Sequence, residues 1–345
     1  MKQFGAKASK ILVNRYSQSP NWRDGKFQNL AETTMSISFQ TIPKLLYKQF
    51  CERKAREPKQ PIPIVPFDKE GFLAPSDKTK VIWYGHSAVL MRMNNKTLLI
   101  DPMLGPNASP IAPFATKRYS ENTLDLIDDF PTIDLMLLTH DHYDHLDLDS
   151  IKKLIPKVNK YFVALGTARH LISWGVEESK ITEFDWWDNQ SFEGIDITFT
   201  PSRHFSGRGL TDRAKSLWGG WVFKTAKESI YWSGDGGYGD HFKEVGDKLG
   251  PFDFGMMECG QYDENWHQIH MYPEEAVQAA LDASVKKAMA VHWAGFALAQ
   301  HTWKDPIERF TTEANSKKLD ILTPQIGEQF GFADKNESRW WEKMY

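Results

Sequence analysis

The sequence predicts an α/β fold, and three observations carry that expectation. A β-α-β-α series runs between residues 133 and 175, and its order of elements is echoed between residues 195 and 292. Histidines and aspartates also gather at the C-terminal ends of several of these strands, where α/β sheets hold their ligands.

Residues 1–77 read as an N-terminal arm packed on the body, and residues 78–345 as the main domain. The arm carries turn chemistry at Ser19-Pro20-Asn21 and Asp24-Gly25, then a proline-rich stretch at 58–66 that cannot pair as a central strand. Between them, residues 42–54 have the pattern of a short basic amphipathic helix, packed on the body or laid against a membrane surface. Short β runs begin near Lys80. Runs at 81–84 and 88–93 lead through Asn94-Asn95 into 97–101 as a hairpin, and a loop bearing Pro and Gly follows at 103–116. Residues 133–138 form a buried strand. Asp147 and Asp149 stand at the N-cap of the next helix, a strand follows at 161–164, and a helix at 167–174 is stopped by Gly175. The second half predicts strands at 195–200, 218–224, 229–232, 252–257 and 288–292. Its helices fall at about 238–247 and 273–283, the latter opened by Pro273-Glu274-Glu275.

The chemistry concentrates in Thr139-His-Asp-His-Tyr-Asp-His-Leu-Asp147. His140, His142, Asp144 and His145 there, between a strand and a helix, form a metal-ligand pattern; imidazole with carboxylate suits zinc, iron or manganese rather than calcium. His204, Asp235 and His292 each end a further strand and would converge on the same rim of the sheets. Seven such ligands are too many for one tetrahedral ion. They fit two divalent transition-metal ions, most simply Zn2+ with Fe or Mn as alternatives, sharing a carboxylate and a hydroxide. The stretch Gly234-Asp-Gly-Gly-Tyr-Gly239 matches a dinucleotide-binding pattern, but Asp235 in the first gap would repel a pyrophosphate.

Bulk properties narrow the partners. A formal net charge of -3 argues against a nucleic-acid surface. Two cysteines far apart imply no disulfide framework, and the start lacks the apolar core of a secretory signal. The expected location is the cytoplasm, with a peripheral membrane contact and a homodimer both compatible with the sequence. The chain has 13 Trp. Trp83, Trp218, Trp266 and Trp293 lie near candidate ligands, and at least two are expected to face an aromatic cleft that takes a partly hydrophobic substrate.

The pattern His140-x-His142-x-Asp144-His145, followed by His204, Asp235 and His292, resembles the ligand set of the metallo-β-lactamase superfamily. The resemblance covers about residues 78–330. It implies an αββα sandwich of two mixed β-sheets flanked by helices. It also implies one metal on His140, His142 and His204, a second on Asp144, His145 and His292, and Asp235 bridging. A narrower resemblance is to N-acyl-phosphatidylethanolamine-hydrolysing phospholipase D and its bacterial relatives. Trp83-Tyr-Gly-His-Ser-Ala88, Pro201-Ser-Arg-His204, Ser216-Leu-Trp-Gly219, Met271-Tyr-Pro-Glu-Glu-Ala276 and His292-Trp-Ala-Gly295 carry it, while Met257–Gln261 departs from the mammalian enzyme. The expected activity is hydrolysis of a small-molecule or lipid-like phosphodiester, in the manner of a phospholipase D. The alternative is a lactone or carboxylic ester at the same centre; a nuclease or a non-catalytic metal-binding protein fits less well. Besides Asp144 and Asp235, Arg208 is expected to clamp a phosphate oxygen and His270 to serve as an acid, against readings as a solvated loop Arg and a helix cap. Asp101 is a candidate for orienting a ligand histidine, and His86 reads as a loop histidine near the cleft.

Overall fold

A computed structural model describes residues 2–35, 47, 56–109, 116–209, 211–335 and 338–344. The N-terminal residues form a small ribbon, β1 (Trp22–Arg23) against β2 (Lys26–Phe27). The body is built on two seven-stranded sheets. The first contains β3 (Lys80–Trp83), β4 (Val89–Met93), β5 (Lys96–Ile100), β6 (Ile133–Leu138), β7 (Val158–Ala164) and β8 (Ile181–Phe184). The second contains β9 (Asn189–Phe192), β10 (Ile195–Thr200), β11 (Gly220–Lys224), β12 (Ser229–Trp232), β13 (Phe254–Glu258), β14 (Lys287–Val291) and β15 (Asp320–Ile321). Near the C-terminus β16 (Gln329–Phe330) returns to pair with β3 and completes the first sheet.

The halves repeat one plan. The orders are β16-β3-β4-β5-β6-β7-β8 and β9-β10-β11-β12-β13-β14-β15. In each, the first three junctions are antiparallel and the last three parallel. Parallel junctions need crossovers, and helices such as Leu148–Leu154, Ala168–Trp174 and Pro273–Asp282 supply them. Both sheets are mixed and flanked by helices, which is the αββα sandwich.

Side-chain alternation assigns each strand to two cores at once. In β6, Leu135 and Leu137 join the core between the sheets, while Met136 and Leu138 pack outward with Ile151, Leu154 and Leu171 of the covering helices. The β4–β5 hairpin turns through Asn94 (φ 49°) and Asn95 (φ 61°), the left-handed pair that a two-residue turn of this twist requires. Gly175 (φ 107°) ends the helix before it, as its sequence position predicts.

The N-terminal residues lie against the body. The Asn29 side chain donates to the His204 carbonyl at 2.8 Å and accepts from the His204 N–H at 3.1 Å, and the Thr34 N–H donates to Gln268 Oε1 at 2.8 Å. The amphipathic stretch 42–54 lies outside the described residues apart from Tyr47. Among the described residues no helix is long and apolar enough to cross a membrane.

Candidate metal centre

Strand ends place the site. His140, His142, Asp144 and His145 follow β6, His204 follows β10, Asp235 follows β12 and His292 follows β14, so the pleat of two sheets delivers seven side chains to one rim. The β6 loop is held short because Asp147 accepts the Ser150 N–H at 2.8 Å and caps the helix Leu148–Leu154. At Asp235 the backbone turns tightly through Gly234 (φ 63°), where a Cβ would meet the Gly219 carbonyl oxygen at 2.2 Å. That approach accounts for Gly234, the first glycine of the dinucleotide-like pattern, without a phosphate. His86 (φ 54°) and His292 (φ 69°) hold left-handed backbone and are tied together: His292 N–H donates to the His86 carbonyl, and His86 N–H to the Trp293 carbonyl, both at 2.9 Å.

The ligand atoms fall into two groups that share one oxygen. His140 Nε2 and His204 Nε2 lie 2.9 and 3.1 Å from His142 Nδ1. On the other side, His145 Nε2 and His292 Nε2 lie 3.8 and 3.2 Å from Asp144 Oδ2. Asp235 Oδ2 is 3.0 Å from His145 Nε2 and 3.1 Å from His292 Nε2, yet also 4.0 Å from His140 Nε2 and 3.9 Å from His204 Nε2.

Outward hydrogen bonds fix which nitrogens face inward with lone pairs. The Thr139 hydroxyl donates to Asp101 Oδ2 at 2.7 Å, so His140 Nδ1, 3.0 Å from that hydroxyl oxygen, must donate to it. His204 Nδ1 donates to the Ile269 carbonyl at 3.0 Å. His145 Nδ1 donates to Asp101 Oδ2 at 3.0 Å and His292 Nδ1 to Glu258 Oε1 at 3.2 Å. The remaining nitrogens of these four rings converge with two carboxylates, an arrangement that demands positive charge.

The titration behaviour reports that demand. Burial holds His140, His142 and His204 below the ordinary histidine range, with neighbouring imidazoles adding to the effect on His140 and His204; His142 falls to about 4. Burial also opposes charge on His145 and His292, but the carboxylates of Asp235 and Asp144 overcome it, raising His145 to about 10 and His292 well above its usual value. Burial resists ionisation of Asp144 and Asp235 too, and the adjoining histidines outweigh it and hold both low. Divalent cations satisfy all these groups together, so the donor set fits a transition metal.

The cleft above this rim has a volume of about 420 Å³. Met35, Phe205, Trp266, Ile269 and Leu298 give it apolar walls, and Arg213 and His270 add polar groups.

The family model for the β-lactamase superfamily domain matches residues 96–293, more than half of the chain. The chain belongs to the β-lactamase superfamily. It is a metal-dependent hydrolase, and its histidine and aspartate cluster is the candidate metal site. An uncharacterised protein of Mycobacterium tuberculosis is 34% identical over 331 residues, covering 94% of this chain and 88% of that relative. The N-acyl-phosphatidylethanolamine-hydrolyzing phospholipase D 1 of Caenorhabditis elegans is 30% identical over 271 residues, covering 73% of this chain and 76% of the relative. Among solved structures, the metallo hydrolase Igni18 of Ignicoccus hospitalis shares the fold with a TM-score of 0.59 and 20% identity, covering 75% of this chain and all (100%) of that one.

Within this superfamily scaffold some sequence expectations need correction. Arg208 does not reach the cleft. It is buried under the β6 loop, where Nη1 donates to the Asp141 and Leu146 carbonyls at 2.7 Å each, and Nε and Nη2 donate to the Gln3 carbonyl at 3.0 and 2.8 Å. Four of its five N–H donors are spent on carbonyls beneath the loop, and the buried guanidinium is not presented to a phosphate in the cleft. The cation at the cleft is Arg213, 3.9 Å above the Phe205 ring, and among the described residues no carboxylate pairs with it. Of the four tryptophans, only Trp266 lines the cleft; Trp83, Trp218 and Trp293 fill the core between and around the sheets.

One residue, His86, sits closer to the centre than its sequence context suggested. His86 is fully buried with Nε2 2.9 Å from Asp144 Oδ2. Asp101 accepts from His145 and also from the Thr139 N–H at 2.8 Å, and so orients the ligand loop. Asp141, between two ligand histidines, points away from them. It accepts from Ser216 Oγ at 2.5 Å and from the Gly207 N–H at 2.7 Å, and lies 3.2 Å from His170 Nε2. His270 lines the cleft with Nδ1 3.2 Å from Glu258 Oε1. Sequence reasoning passed over Glu258. The signal was available, because Glu258 ends a strand just as the ligands nearly do.

Proposed function

We propose that this hydrolase cleaves a phosphodiester that carries an apolar group, with two divalent transition-metal ions, most simply zinc, in the centre. The observation that carries the two-ion reading is the position of Asp235 Oδ2, within 4.0 Å of histidine nitrogens from both groups. His140, His142 and His204 would hold one ion, Asp144, His145 and His292 the other, with Asp235 shared. Bound there, two such ions supply Lewis acidity and a hydroxide nucleophile at neutral pH. The P–O bond to the leaving alcohol breaks as hydroxyl adds to phosphorus, and His270, at the cleft wall and protonated on Nε2 as well as on Nδ1, hands the Nε2 proton to the departing oxygen.

The residues of the cleft support the choice of substrate. Arg213, which no carboxylate pairs with among the described residues, offers a cation to an anionic phosphoryl oxygen, and Met35, Phe205, Trp266 and Leu298 offer apolar contact to an attached chain or ring. The relative from Caenorhabditis elegans, named for hydrolysis of a phospholipid, points the same way. The protein then works in the cytoplasm, at or near a membrane surface that presents such substrates.

A panel of matched phosphodiesters, lactones and carboxylic esters tests this reading. Phosphodiesters with longer apolar substituents are expected to give the highest kcat/KM. Arg213→Ala is expected to raise KM for them by about tenfold, the scale of one charge-assisted contact, and to leave neutral esters unaffected. Lactones turned over faster than every phosphodiester would point to the carboxylic-ester alternative.

A further inference from the structure

Glu258 ends β13 in the interior, with no exposure to solvent. Such a carboxylate is costly to bury unless its oxygens are satisfied, and here they are. Oε2 accepts the Met271 N–H at 3.0 Å, and Oε1 accepts the Gly260 N–H at 3.2 Å. Oε1 also lies 3.2 Å from His292 Nδ1 and 3.2 Å from His270 Nδ1. Both oxygens already serve as acceptors, so both imidazoles must donate through Nδ1–H. The two rings stack with centroids 5.3 Å apart and planes only 11° apart. One ring belongs to the metal centre and the other to the cleft wall. With Nδ1 held inward, each presents Nε2 to the same space, where His270 approaches His204 and Asp235.

We infer that Glu258 is a positioning residue that locks His292 and His270 into one tautomer and one orientation, and so registers the cleft histidine against the metal centre. The His292 limb needs only the metal centre; the His270 limb rests on the proposed role of His270 in catalysis. A single carboxylate oxygen serves both, so a change at Glu258 reaches the metal and the chemistry together. His86 packs on His292 with ring centroids 4.1 Å apart, but its ring nitrogen is turned to Asp144 rather than to Glu258.

The test uses the full chain loaded with zinc, as wild type, Glu258→Gln, His270→Ala and the double variant. Chelator competition reads the first limb without any substrate. Glu258→Gln is expected to release zinc about 10- to 100-fold more readily, the range for groups that orient a metal-bound histidine, and His270→Ala to release it as wild type does. At saturating zinc, both single variants are expected to lower kcat with little change in KM, and the double variant to fall no further than the worse single one. Wild-type zinc affinity in Glu258→Gln, or kcat losses that multiply in the double variant, overturn the inference. A loss of affinity with no kcat effect from His270→Ala refutes the proposed acid and leaves the His292 limb standing. Should Glu258→Gln fail to fold, imidazole nitrogen NMR of the wild type decides: both rings must carry the proton on Nδ1, and a His270 protonated on Nε2 instead contradicts the lock.

Discussion

Replacing Asp235 by asparagine is expected to abolish turnover, by on the order of a thousandfold or more, and to strip the protein of metal at the same time. The side chain keeps its shape in that change and loses its charge. Its Oδ2 is the oxygen common to both histidine groups, 3.0 Å from His145 Nε2 on one side and 3.9 Å from His204 Nε2 on the other. A neutral amide offers each ion a weaker donor, and four inward nitrogens lose the negative charge that balances two dications. Elemental analysis after dialysis, with kcat/KM measured on the same samples, checks the pairing of the two losses. A variant that keeps two ions per chain would show that Asp235 is not shared between them.

Arg208→Ala is expected to have the largest effect on stability, by a route unrelated to substrate. The buried carbonyls of Asp141 and Leu146 lose their donor, as does the partly buried Gln3 carbonyl, and the stacking surface on Tyr143 and Trp174 is lost as well. Unsatisfied buried acceptors cost about 1–3 kcal/mol each, which places the whole change on the order of 3–5 kcal/mol after relaxation. In a chain of this size that lowers Tm by about 4–7 °C. Lysine is not expected to rescue it, since a point charge cannot serve carbonyls on three sides as a planar fork does. Thermal unfolding of the zinc-loaded variants decides the matter. An unchanged Tm with a raised KM for phosphodiesters would return Arg208 to the substrate.

The contrast between Arg208 and Arg213 shows where sequence stops informing. Both lie in the loop after His204, and spacing alone cannot tell which guanidinium turns inward. The answer depends on residues 2–6, which lie against the helix Ala168–Trp174: the Ala6 N–H donates to His170 Nδ1, and Arg169 and Trp174 donate to the Ala6 and Lys2 carbonyls. That contact between segments more than 160 apart in the chain leaves no local pattern. The ligands were legible for the opposite reason. Each sits just after an apolar strand such as β6, β10 or β14, and strand periodicity fixes where such residues emerge. β8, β9, β15 and β16 were not legible: they are edge strands of two to four residues, such as Asn189–Phe192, too short to show an alternating pattern although Phe184, Phe192 and Phe330 reach the core. The helix Asp305–Lys317 was missed as well, because Thr and Asn interrupt its apolar stripe of Ile307, Phe310 and Ala314. Trp83, Trp218 and Trp293 misled because nearness in sequence to a ligand says nothing about which face of the sheet an indole takes. Trp83 packs with Trp293 at 5.5 Å between the sheets, below the cleft.

Anomalous diffraction from crystals of the zinc-loaded protein tests the central claim most directly. Two peaks are expected about 3.5–4 Å apart, the usual spacing of a two-metal hydrolytic site, with the Asp235 carboxylate between them. One peak should lie among His140, His142 and His204, and the other among Asp144, His145 and His292. A single peak, or a second one held by residues outside these two groups, would contradict the account.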